Sequence, residues 1–238
     1  MSAPAPTQVL HYIHDPLCGW CYGAAPLVAA AREVLPVQAH GGGMMAGRNR
    51  RPVDAALRDY VMPHDRRIAQ ITGQVFGDNY FNGLLADTGA VFDSAPPIAA
   101  ILAMQALKGA DAGLDMLAAI QRAHYRDGRR ISDEATLSAL ALQLGVGEED
   151  FARVMRLVEA EELTNHIEAS RALLNHVGGR GFPTFVLQRG DALEALDTGT
   201  WLGRPEQWAA FLRQETGAMA SAGASPPALC DIDGGNCN

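Results

Sequence analysis

An apolar, strand-like run, Val9-Leu10-His11-Tyr12-Ile13, leads directly into Cys18-Gly19-Trp20-Cys21 at what reads as the start of a helix. Few folds place two cysteines, separated by two residues, at a strand-to-helix junction. A thiol there meets the positive end of the helix dipole and unpaired backbone N–H groups, which favour the nucleophilic thiolate. The second cysteine lies one turn along, within reach of a disulfide. A structural zinc site would need a second matching pair of ligands. The remaining cysteines, Cys230 and Cys237, are spaced too widely to supply one. The pair therefore reads as redox-active, with no metal and no organic cofactor.

The surrounding pattern is β-α-β. Residues 8–14 read as a strand and residues 18–35 as a helix, kinked by Pro26. Residues 37–40 read as a second strand, running into Gly41-Gly42-Gly43. From about residue 50 to 177 helical periodicity dominates. Ser94-Ala95-Pro96-Pro97 reads as a helix start, with a capping hydroxyl and first-turn prolines. Further helices are expected over 114–125, over 132–144 (stopped by Gly145) and over 148–174. The pattern then returns to strand. Phe182-Pro183-Thr184-Phe185-Val186-Leu187 and residues 193–196 form a hairpin through Arg189-Gly190-Asp191. Pro205 opens a last helix to about residue 216, and a Gly/Ala/Pro-rich tail follows.

At 238 residues, 48% hydrophobic and 19% charged, the chain can bury a large core without disulfide staples. Its net charge of −8 disfavours nucleic-acid and anionic-membrane partners. No apolar run approaches the roughly 18 residues of a membrane span. The first residues lack the basic start and apolar stretch of a secretory signal. The expected location is cytoplasmic, or periplasmic if the chain is a processed mature form.

Asp15-Pro16-Leu17-Cys18-Gly19-Trp20-Cys21-Tyr22, Pro26, and Gly181-Phe182-Pro183-Thr184-Phe185, in that order around a helical block, resemble the DsbA-like family of the thioredoxin superfamily. Within it the likeness is to the FrnE-type, protein disulfide isomerase-like branch. The resemblance implies an α/β thioredoxin fold with a large inserted helical domain. The thioredoxin-like part spans 1–48 and 178–216, the helical insert 49–177, and a cysteine-containing tail 217–238.

It also implies that Cys18 is an exposed attacking thiolate, that Cys21 resolves the mixed disulfide, and that Pro183 is cis beside them. Trp20, Phe182 and Thr184 would contact a polypeptide substrate, with Trp20 equally able to cover the apolar helix start. The implied activity is thiol–disulfide exchange on polypeptide thiols and disulfides, with glutathione as a candidate redox partner. Two features depart from better-known members. Trp20 stands where DsbA and protein disulfide isomerase carry histidine, which points to a less oxidising couple. Tyr12 stands where thioredoxin keeps a buried acid, leaving His14 and Asp15 as the nearest proton-transfer candidates. Cys230 and Cys237 have three readings: free thiols, a small disulfide, or an auxiliary relay. Two other functions share this fold: a glutathione-dependent, non-redox transferase or isomerase of the kappa or 2-hydroxychromene-2-carboxylate type, which has serine at the Cys18 position, and a peptide-binding chaperone-like module.

Overall fold

The computed structural model describes residues 8–222, with side chains to residue 217. The expectations for Cys230 and Cys237 fall outside the described residues. Strand β1 (Gln8–His14) is followed by helices α1 (Gly19–Gly23) and α2 (Ala25–Arg32) and strand β2 (Val37–Gly41). The expected kinked helix is thus two helices. They part at Ala24, whose N–H still bonds to the Trp20 carbonyl at 2.9 Å. Pro26 falls in the first turn of α2, where its missing N–H costs nothing.

The helical block contains β3 (Arg51–Pro52), α3 (Ala55–Thr72), β4 (Val91–Phe92), α4 (Ala95–Lys108), α5 (Ala110–Gln121), α6 (Glu134–Gln143), α7 (Glu148–Glu161) and α8 (Leu163–His176). The chain returns through β5 (Thr184–Arg189) and β6 (Ala192–Leu196) to α9 (Pro205–Ala222). Three details differ from the sequence pattern. The block is not wholly helical, because β3 and β4 pair as a short antiparallel ribbon. The helix expected over 148–174 breaks at Glu162. Residues 122–126 widen into a π turn that closes at Gly128, with φ +67. A β-carbon on Gly128 would lie 2.3 Å from the Asn79 carbonyl oxygen, so only glycine fits.

The main sheet runs β2-β1-β5-β6. β1 is parallel to β2, as the intervening helices require, and antiparallel to β5. Alternation along β1 and β5 divides the side chains between two faces. On one face Tyr12 stacks on Phe185 with centroids 4.7 Å apart, and Phe185 meets Trp208 of α9 edge-on at 5.5 Å. On the other, Ile13 and Val186 pack with Leu174 of α8. So α8, at the end of the helical block, covers the sheet. The first face continues into the helical block as one hydrophobic core, which includes Ile101, Met104, Leu117 and Phe151.

Candidate active site

β1 is an inner strand of the sheet, and the turn after it sets the first cysteine. The Cys18 N–H bonds to the Asp15 carbonyl at 3.1 Å, and Cys18 itself is the N-cap of α1, with extended backbone. Its carbonyl accepts from the N–H groups of Cys21 and Tyr22. Both thiols are free. The peptide bond between Phe182 and Pro183 is cis. That turn brings the Phe182 carbonyl oxygen to 3.4 Å from Cys18 Sγ, which donates to it. Cys18 is more accessible than Cys21, but only 7% against 0%. Cys18 is covered in part by the cis-proline turn, whose Phe182 carbonyl contacts its sulfur.

Burial pushes the Cys21 thiol well up, and the neighbouring Cys18 adds to the shift. The backbone of Asp15 hydrogen-bonds the Cys21 sulfur and opposes it. The Tyr12 hydroxyl donates to the Cys21 carbonyl at 3.1 Å, so the aromatic in thioredoxin's acid position still touches the second cysteine. Burial, then the two nearby thiols, hold its phenol protonated.

Asp15 is buried, and both its carboxylate oxygens are occupied. Oδ1 accepts from the Leu17 N–H and the Ser94 hydroxyl, each at 2.9 Å. Oδ2 accepts from the Met44 N–H at 2.5 Å. Burial raises Asp15 to about 6 despite these donors. Ser94, expected to cap α4, instead links Asp15 to the Met45 N–H at 3.0 Å. Asp93 takes over near the helix start, accepting from Ala95 N–H at 2.9 Å. His14 is also buried, but its ring stacks on Tyr12 at 5.1 Å and feels His40 and His166 rather than the sulfurs. Burial lowers it to about 3, so the ring is neutral at ordinary pH. Neither of its ring nitrogens has a partner among the described residues.

The remaining motif residues take different positions. Trp20 is half-buried and packs against the core. The Phe182 ring lies across Gly42, where a β-carbon would meet its Cζ at 2.2 Å. Thr184 donates its hydroxyl to the Gly181 carbonyl at 2.8 Å, closing the cis-proline turn from within. Met44 and Met45 are half-buried against the core.

Four residues that the sequence pattern did not assign to the site also build it. Ser94 ties the helical block to Asp15. Arg171 of α8 donates to the Gly42 and Gly43 carbonyls at 2.7 and 2.6 Å, holding the loop beneath Phe182. Asp65 of α3 packs against Gly19, and Tyr80 donates to it at 2.7 Å. A carboxylate on the stripe Leu57-Val61-Asp65-Ile68, at helical spacing, was the available signal for Asp65.

No family model matches the chain, and no curated protein matches it. Solved structures do. The cytosolic disulfide reductase DsbM from Pseudomonas aeruginosa is 55% identical with a TM-score of 0.83, over 88% of this chain and 99% of that one. The same protein with glutathione aligns at 55% identity and a TM-score of 0.81, over 87% and 98%. A candidate protein disulfide isomerase from Nitrosomonas europaea is 26% identical with a TM-score of 0.72, over 91% and 98%. The cytoplasmic location expected from the sequence agrees with the cytosolic description of the Pseudomonas protein. Among the described residues no helix is long and apolar enough to cross a membrane. With 55% identity over an alignment that spans nearly the full length of a disulfide reductase, and a paired-thiol site beside a cis-proline turn, the chain belongs to the DsbA-like thiol–disulfide oxidoreductases of the thioredoxin superfamily.

Proposed function

We propose that the protein is a disulfide reductase that draws electrons from glutathione and passes them through Cys18 and Cys21 to disulfides of polypeptides. The observation that carries this reading is the 3.4 Å contact between Cys18 Sγ and the Phe182 carbonyl. It sets the reactive sulfur against the backbone of the turn where an extended substrate would pair. The glutathione complex of the Pseudomonas relative supports the choice of donor.

The cycle balances as follows. A Cys18 thiolate attacks a substrate disulfide, and one substrate thiolate leaves. Cys21 then loses its proton and attacks Cys18 Sγ, releasing the second substrate thiol and closing the Cys18–Cys21 disulfide. The thiolate of one glutathione attacks Cys18 Sγ, and Cys21 departs and is protonated. The thiolate of a second attacks the glutathione sulfur of that mixed disulfide, yielding oxidised glutathione and the Cys18 thiolate. Overall, two glutathiones and one disulfide give oxidised glutathione and two thiols.

Burial keeps Cys21 as a thiol until it is needed, and the Asp15 backbone bond stabilises its charge as it forms. Asp15 is the carboxylate in electrostatic range of that sulfur, alongside Cys18, Tyr12 and Tyr125, and is the candidate acceptor for the Cys21 proton. Pro183 and Phe182 shape the groove, and Thr184 holds the turn.

The test is glutathione-dependent reduction of insulin by the full chain. Cys18→Ser abolishes turnover, and Cys21→Ser traps a mixed disulfide on Cys18 that mass spectrometry detects. Unchanged turnover of Cys18→Ser sinks the proposal. Retained glutathione binding with transferase turnover and no disulfide exchange would favour the non-redox reading instead.

A further inference from the structure

Asp65 lies mid-way along α3, only 4% exposed. Its Oδ2 accepts from the Tyr80 hydroxyl at 2.7 Å. Its Oδ1 lies 2.3 Å from where a β-carbon on Gly19 would stand. The carboxylate thus fills the space beside the first residue of α1, and Gly19 is covalently bonded to Cys18. Any other residue at position 19 would displace it. The glycine of the Cys-Gly-Trp-Cys motif is therefore explained by a side chain from the helical block.

Among the described residues, no Lys, Arg or His pairs with Asp65. Arg66, on the same helix, lies over the Phe81 ring at 5.6 Å. His64 sits edge-on to Tyr60 at 5.0 Å. The titratable groups that feel the carboxylate are Tyr80 and Tyr125, and Tyr125 in turn feels the Cys18 and Cys21 thiols; the contact with Gly19 sets the carboxylate beside the Cys18 backbone. Every one of them is neutral or negative when it titrates. Burial raises Asp65 to about 7, with the Tyr80 hydroxyl partly opposing the shift. A carboxylate with no cation beside it, next to a site that must form a thiolate, places two like charges in a poorly solvated region.

We infer that Asp65 is a proton-linked regulator of the Cys18 couple, taking up a proton when the Cys18–Cys21 disulfide is reduced and releasing it when the disulfide re-forms. It rests on the reading of Cys18 as the attacking thiolate. Reduction by two electrons leaves Cys18 as a thiolate and places one proton on Cys21. Asp65 takes a second proton from solvent, which cancels the repulsion between its charge and the new thiolate. Oxidation removes the thiolate, and Asp65 ionises again. Asp65 is a positioning residue: it touches no substrate and acts on Cys18 through its charge.

The experiment uses the full chain. Cys18 alkylation by iodoacetamide is followed against pH by peptide mapping, and the Cys18–Cys21 equilibrium is measured in glutathione buffers from pH 5.5 to 8.5. Asp65→Asn keeps the shape and the Tyr80 hydrogen bond but removes the charge. It moves the midpoint of Cys18 alkylation down by about one pH unit, a roughly tenfold gain in thiolate on the acid side. It shifts the equilibrium about tenfold toward the dithiol, or ~30 mV. It also flattens the dependence of that equilibrium on pH near neutrality.

Tyr80→Phe keeps the charge but removes its donor, and moves the pH at which the slope changes upward. This second variant decides the matter if Asp65→Asn does not fold. An Asp65→Asn protein of native circular dichroism with an unchanged alkylation curve and equilibrium overturns the inference, as does an unmoved slope in Tyr80→Phe. If the unaltered protein forms no Cys18–Cys21 disulfide in any buffer, the redox reading fails instead, while the alkylation curve still decides whether Asp65 acts on Cys18.

Discussion

Ser94 donates its hydroxyl to Asp15 Oδ1 at 2.9 Å while accepting from the Met45 N–H at 3.0 Å. One hydroxyl thereby joins three pieces of chain: the turn before Cys18, the loop after β2 and the start of α4. The active-site turn is held by the helical block as much as by its own sheet.

Removing that hydroxyl tests the junction. Ser94→Ala leaves the part-buried Met45 N–H without its partner and Asp15 Oδ1 with the Leu17 N–H as its remaining donor. A cost of about 1–3 kcal/mol is expected for buried groups that lose partners. Asp15 should also move further up from about 6, since one of the bonds opposing its shift is gone. Urea denaturation measures the first effect, and carboxyl NMR titration the second. A variant as stable as the parent, with Asp15 unmoved, would show that the hydroxyl does not stabilise the junction.

The Gly42–Phe182 contact should be intolerant of a methyl group. A β-carbon at position 42 would lie 2.2 Å from Phe182 Cζ. Gly42→Ala must therefore push the ring and its turn away from the loop. We expect a loss of about 1–3 kcal/mol from overpacking. Turnover of a disulfide substrate should fall further than stability accounts for, because the Phe182 carbonyl faces Cys18. Comparison of initial rates with the unfolding midpoint checks this.

Arg171 supports the same loop from the other side. Arg171→Leu keeps much of the side-chain bulk but strips two charge-assisted bonds from the Gly42 and Gly43 carbonyls. Bonds of this kind contribute about 1.5–3 kcal/mol each, net of the bonds to water that they replace. Faster amide hydrogen exchange around residues 41–45 should accompany a reduced rate of mixed-disulfide formation. Exchange at the native rate would count against a supporting role for the arginine.

Stability should decline on acidification, although two buried acids oppose the decline. Burial raises Asp15 to about 6 and Asp65 to about 7, so each favours the folded state at low pH and loses that contribution as pH rises through those values. His14, His40 and His124 are lowered to about 3, so each favours the folded state above their ordinary value near 6.5 and loses that contribution as pH falls. His166 is lowered too. Three or more imidazoles outweigh two carboxyls. Between about pH 4 and 6 unfolding takes up at least one net proton, or about 1.4 kcal/mol per pH unit. His14→Phe should flatten this limb, and at pH 7 it should cost little, because the replaced nitrogens have no partner. Denaturation midpoints across pH 4–7 measure both, and a limb of unchanged slope in His14→Phe would refute the assignment.

Local pattern alone determined the segments of the main sheet, the hairpin at Gly190 and the two cysteines at a helix start, and the family resemblance added the proline turn beside them. These are properties of short stretches: alternation, a dipeptide turn, a fixed cysteine spacing. Tertiary structure decided what surrounds the thiols. Asp15 looked like a proton-transfer candidate because it is near Cys18 in sequence. In the fold it is also an anchor, because Leu17, Met44 and Ser94 all donate to it. Ser94 looked like a helix cap, since nothing local shows that a buried carboxylate would claim its hydroxyl. Cys18 looked exposed, yet a turn from the far end of the chain covers it. Nothing local sets Gly19 apart within Cys18-Gly19-Trp20-Cys21, whereas Asp65, brought in by α3, leaves room for nothing larger. Periodicity reports which face of a segment is buried. It does not report what that face is buried against, and the charge and hydrogen bonds that govern a thiol come from the partner.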